Sequence, residues 1–160
     1  MFFSSESPYE DAHRFSRLDP KDPLSTCSPH SISLEGHTWL TCEHYFQIKT
    51  LRSAEICRSI DQMQTGLEAY LMGCPWYRRH INDWKKLRPV LMTRALYTKV
   101  QMYDEVREAL LATGEQTIVE TSLYDYYWGI GRDQRGENRL GKVWMDIRRK
   151  LREPKAVEES

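Results

Sequence analysis

The chain has 160 residues, the size of one domain with a substantial core. Lysine plus arginine and aspartate plus glutamate each number 23, so the formal charge is zero and no overall basic field draws the chain to nucleic acid or anionic lipid. Its four cysteines, Cys27, Cys42, Cys57 and Cys74, show neither a CxxC pair nor Cys/His ligand spacing, which argues against a zinc or dithiol site and fits thiols in a reducing compartment.

Met1-Phe2-Phe3 leads into Ser4-Ser5-Glu6-Ser7 without a basic segment or a long apolar run, and no later stretch is apolar enough to span a bilayer. The expectation is a cytoplasmic protein that makes no use of a membrane. Residues 1–29 mix Ser, Pro, Asp and Lys with little periodicity and read as an irregular arm of the domain, carrying at most one short strand. Residues 30–153 carry the main body, and 154–160 read as a frayed tail. Ser31 to Leu34 and His37 to Trp39 flank Glu35-Gly36, the pattern of a small hairpin.

A helix from about Thr41 places Glu43, Gln47 and Thr50 on one face. A second helix covers Ala54 to Ile60, and a third opens on the capping box Thr65-Gly66-Leu67-Glu68 and closes at Gly73 and Pro75. Asn82 or Asp83 can cap the next helix, which either begins near Arg88 or bends at Pro89. A shorter helix over Tyr103 to Thr113 stops at Gly114, Thr117 to Val119 reads as a brief strand, and Leu140, Val143, Trp144, Ile147 and Leu151 mark a final amphipathic helix. No internal repeat is present. The pattern predicts an α+β fold, a mainly helical single domain with a small sheet or hairpin.

Chemistry concentrates in two segments. Tyr124-Asp125-Tyr126-Tyr127-Trp128-Gly129-Ile130-Gly131 sets a carboxylate among rings that can stack on a flat base, and Gly136 to Gly141 then enters the last helix. Gly129, Gly131, Gly136 and Asn138 with Arg132, Arg135 and Arg139 can cradle an anion through backbone N–H groups and forked donors, although the Gly-Lys-Ser/Thr ending of a P-loop is missing. Asn138 also suits a helix cap. Upstream, Glu43 can act as a base or stabilise positive charge on a sugar, or simply complement the dipole of its helix. Lys49 can act as a Schiff-base nucleophile when desolvated, although it lies beside the Glu43/Gln47 face. Trp84 is a pocket wall or a helix anchor, and His44 a neighbour of Glu43 rather than a base.

Trp39-x-x-x-Glu43-His44-Tyr45-Phe46-Gln47, Trp84, Asp125-x-x-Trp128-Gly129-x-Gly131, Gly136-x-Asn138-x-Leu140-Gly141 and Met145-x-x-Arg148 resemble, in this order and spacing, the NADAR or YbiA-like family. The resemblance runs from about His30 to Leu151. It implies an N-glycosidase that cleaves the bond between a phosphoribosyl or ribosyl group and the pyrimidine of early riboflavin intermediates, without metal or organic cofactor. Other branches act on ADP-ribose, including its removal from guanine, so a small ribosylamino-pyrimidine or an ADP-ribose-like ligand is the implied partner, with nucleic acid entering only as an ADP-ribosylated substrate. Non-catalytic binding of such a nucleotide is the alternative. Family functional positions fall on Glu43, Trp84, Asp125 and Trp128.

Two departures stand out. Leu24-Ser25-Thr26-Cys27 replaces the family's Phe-Ser-Asn-Phe, and Gln47-Ile48-Lys49-Thr50-Leu51 replaces Gln-Ala-Gln-Lys-Phe, which moves the lysine back by one residue and puts Thr50 in its place. Such a shift turns a helical side chain by about 100°. Replacing Glu43 by Gln is expected to remove turnover with little change in stability. The oligomeric state has no signature in the sequence.

Overall fold

The computed structural model describes residues 7–154; the first six residues of the arm and all of the expected tail except Pro154 lie outside that range. Among the described residues the elements run β1 (His13–Phe15), β2 (Ile32–Leu34), β3 (His37–Trp39), α1 (Cys42–Thr50), α2 (Ala54–Asp61), α3 (Gly66–Gly73), α4 (Trp84–Met102), α5 (Asp104–Ala112), β4 (Ile118–Glu120) and α6 (Arg139–Arg152). The fold is α+β and mainly helical, as the pattern predicts. No helix among the described residues is long and apolar enough to cross a membrane.

The local signals are made as written. Glu35 and Gly36 both take positive φ, so β2 and β3 turn back on each other as an antiparallel hairpin with Ile32 opposite Trp39. Thr41, Ser53 and Thr65 each accept a bond from the backbone N–H three residues on, which caps α1, α2 and α3. Two expected caps are not made. Asp83 precedes α4 in a left-handed conformation with no side-chain cap bond, and α4 starts at Trp84 with Pro89 inside it rather than near Arg88. Asn138 precedes α6, also left-handed, and its amide is used elsewhere.

Helix α4 packs between α1 and α6, and this junction buries Tyr45, Phe46, Met92, Leu96, Trp144 and Ile147. The arm is more deeply embedded than its composition suggests. β1 pairs in parallel with β4, placing His13 beside Ile118 and Phe15 beside Glu120. Beyond it Arg17, Leu24 and Ser25 to Ser28 are buried, and Trp144 donates its indole N–H to the Leu24 carbonyl at 2.8 Å. The Lys99 ammonium, fully buried on α4, donates to the Ser25 carbonyl and the Ser28 hydroxyl. These bonds carry Arg17 and Thr26 to the N-terminal end of α1, where Glu43 stands.

Candidate active site

Glu43 sits in the first turn of α1 and is completely buried. Its carboxylate accepts a two-pronged bond from Arg17, Nε to Oε2 at 2.9 Å and Nη2 to Oε1 at 2.6 Å, together with the Thr26 hydroxyl and, at 2.8 Å, the Gln47 amide one helical turn on. Burial alone would raise the carboxyl, yet the charge and hydrogen bonds of Arg17, with those of Thr26 and Gln47, hold it below its usual value. Thr26 stands where the family pattern has Asn, so a hydroxyl replaces the amide as a donor.

Asp125 approaches the same arginine from the loop after β4. Its Oδ1 accepts the backbone N–H groups of Tyr127 and Trp128 at 3.0 and 2.8 Å, and its Oδ2 lies 3.4 Å from Arg17 Nη1. Arg17 thus stands between the two carboxylates, with its backbone N–H given to the buried Glu120 at 2.9 Å. Asp125 retains access to solvent, with 23% of its side chain exposed against none for Glu43. That difference decides which carboxylate can reach a ligand.

Asp125 opens onto a cavity of about 350 Å³ whose wall includes Arg17, Gln47, Thr50, Tyr70, Trp84, Arg88, Tyr127 and Trp128. A wider groove of about 600 Å³, lined by Ser16, Ser122, Tyr124 and Tyr126, shares Tyr70, Asp125 and Tyr127 with it. The structure therefore brings Asp125, Gln47, Trp84 and Trp128 together around one hollow, with Glu43 immediately behind Arg17. Both indoles are partly committed: Tyr127 stacks on Trp128 at 4.7 Å, and His80 on Trp84 at 3.9 Å. More ring surface is free on Trp76, which also lines the cavity and is 92% exposed.

Other expected site residues lie elsewhere. Lys49 faces away from the cavity and pairs with Glu35 at 2.7 Å, since one step along the helix turns it off the Glu43 face. Thr50 takes the cavity position and donates its hydroxyl back to the Phe46 carbonyl. The glycine loop is a packing device rather than an anion cradle. A Cβ on Gly129 would lie 2.2 Å from Glu120 Oε2, and one on Gly131 would strike the Tyr126 ring. Asn138 bridges two backbone groups of the β4 strand, donating to the Ile118 carbonyl and accepting from the Glu120 N–H. The N–H groups of Arg139 and Leu140, which open α6, are taken by the carbonyls of Tyr127 and Trp128. Arg132 is exposed and lines neither hollow.

Arg17, Arg88 and Tyr70 were not legible as site residues. Arg17 lies in the arm of least periodicity, and no signal along the chain singles it out.

A NADAR domain model matches residues 1–152. An N-glycosidase of Nostoc punctiforme is 34% identical over 136 residues, covering 83% of this chain and 87% of that protein. The N-glycosidase YbiA of Escherichia coli is 31% identical over 137 residues, 86% of each chain. The solution structure of E. coli YbiA superposes with a TM-score of 0.75 at 32% identity, covering 86% of this chain and 83% of that one. A chloroplastic maize protein named for riboflavin biosynthesis, PYRR, is 29% identical over 91% of this chain, which spans 26% of that protein.

Proposed function

The chain belongs to the NADAR domain family, and on that premise we propose that it is an N-glycosidase hydrolysing the C–N bond between (phospho)ribose and a ribosylamino-pyrimidine of early riboflavin biosynthesis, or a closely related compound. Relatives named N-glycosidase cover most of the chain, and the riboflavin naming of the maize protein supports the substrate class. The observation that carries the reading is the polar cluster of Asp125, Arg17 and Glu43 at the wall of an aromatic-lined cavity.

In that site water adds to C1 of the sugar while the C1–N bond breaks, and the electron pair leaves with nitrogen, which takes up a proton. Asp125 is the carboxylate placed to stabilise the oxocarbenium character at C1 and to accept a proton from the water. Glu43 is a positioning residue: it holds the Arg17 fork in one orientation, and Arg17 sets the direction of Asp125. The indole and phenol walls provide stacking surface for the flat leaving group.

The test is release of ribose 5-phosphate, read as a reducing sugar, from 5-amino-6-(5-phosphoribosylamino)uracil, with Asp125→Asn alongside. Release that falls by about two orders of magnitude or more in the variant is expected; equal release by both proteins removes Asp125 from the mechanism. A second reading is favoured by Thr50 at the family lysine position and by a cavity wall without lysine. If chemistry of this type requires that lysine, the site binds a nucleotide or ADP-ribose without cleaving it. Ligand-dependent stabilisation of about 2.7 kcal/mol at a hundredfold excess over Kd, with no sugar released from either this compound or an ADP-ribosylated guanine, is the outcome that reading requires.

A further inference from the structure

Arg88 projects from the second turn of α4 into the cavity, and its side chain makes no hydrogen bond or ion pair with the described residues. Its Nε is buried without a partner. The other arginine of the wall is spent, because Arg17 gives Nε and Nη2 to Glu43 and turns Nη1 to Asp125. The cavity thus holds one guanidinium balanced by carboxylates and one that faces the hollow with unmet donors.

Arg88 is also held in place. Its Cζ lies 3.2 Å from the centroid of the Tyr127 ring and 5.1 Å from that of Trp84, so the planar group is fixed between two aromatic walls before any ligand arrives. His80, stacked on Trp84, adds an imidazole whose pKa burial and the charge of Arg88 push below its usual value. A fixed planar fork with open N–H groups in a recess matches the oxygens of a phosphate monoester. The loop after Trp128 offers no competing place, since the amides opening α6 are already bonded and Arg132 points outside.

We propose that Arg88, framed by Trp84, Tyr127 and His80, is the phosphate subsite of this cavity, so that the protein takes a 5′-phosphorylated riboside in preference to the free riboside. The proposal rests on the N-glycosidase reading and names its substrate class.

Two measurements test it on the full chain, Arg88→Gln and Arg88→Lys. Binding of ribose 5-phosphate and of ribose is followed by tryptophan fluorescence, and turnover is compared between 5-amino-6-(5-phosphoribosylamino)uracil and its dephosphorylated riboside. The wild type is expected to favour ribose 5-phosphate over ribose by about tenfold to a hundredfold. Arg88→Gln collapses that preference toward one and raises KM more than it lowers kcat, while Arg88→Lys restores part of it. Equal affinity for the two sugars, or a preference that survives Arg88→Gln, overturns the subsite. Phosphate-dependent binding without turnover of either riboside upholds the subsite and sinks the glycosidase reading; turnover without phosphate preference does the reverse.

Discussion

At the scale of single residues the site is organised by an arginine that touches carboxylates from two distant parts of the chain. Glu43 is read from sequence as a first-turn carboxylate whose neutralisation leaves stability untouched. Its complete burial against Arg17 changes that expectation. Removing one partner of a buried pair strands the other charge, so Glu43→Gln is expected to cost about 3–5 kcal/mol, measured as a lower urea midpoint with unchanged slope. If Glu43 acts by orienting Arg17, the folded variant loses kcat with little change in KM, a split that a purely structural role would not produce. The pH dependence has a definite sign. Because the folded carboxyl lies below its usual value of 4.5, the pair contributes fully above that pH and its contribution disappears as pH falls through the folded value. Acid unfolding of the wild type is therefore expected to be steeper than that of Glu43→Gln, a comparison readily made by circular dichroism. Glu43, Gln47, Asp125, Trp84 and Trp128 were legible because each belongs to a local motif; Arg17 and Arg88 belong to none.

Between elements, the close approach of α3 to α1 shapes the site. Gly73 ends α3, and a Cβ there would lie 2.1 Å from Gln47 Oε1. Gly73→Ala therefore pushes the Gln47 amide off Glu43, with an expected loss of about 1–3 kcal/mol in thermal or urea unfolding and reduced turnover. The Thr65 capping box, the Glu35-Gly36 hairpin and the amphipathic stripe of α6 were readable because each is satisfied within a few residues of sequence. The N-terminus of α6 was misread for the opposite reason. Its open amides are an anion site only if nothing nearer claims them, and the backbone carbonyls of Tyr127 and Trp128 do. Asn138 follows the same logic, its amide drawn to β4 rather than to its own helix.

Across the whole molecule, the buried Lys99 ammonium ties the arm to α4, and burial pushes it down to about 8 from 10.5. Between those values the unfolded chain binds the extra proton, so this group makes stability rise with pH. Burial pushes the thiols of Cys42 and Cys27 up to about 11 and 12, so above pH 9 the unfolded chain loses those protons first and stability falls. Urea midpoints are expected to climb between about pH 8 and 9 and then turn over, with Lys99→Met flattening the climb. The helical α+β character, the hairpin, the Thr65 capping box and the family-bearing residues were determined by the sequence alone, since periodicity, turn chemistry and short motifs act over one or two helical turns. Only the tertiary structure decided that Arg17 meets Glu43 26 residues away and Asp125 108 residues away, that Lys49 finds its partner in Glu35, and that Arg88 faces the cavity without a partner among the described residues. The Arg17 contacts join segments that lie side by side only in the folded chain, with β1 beside β4 and the arm against α1, and no pattern along the chain specifies which distant charge a buried carboxylate will find.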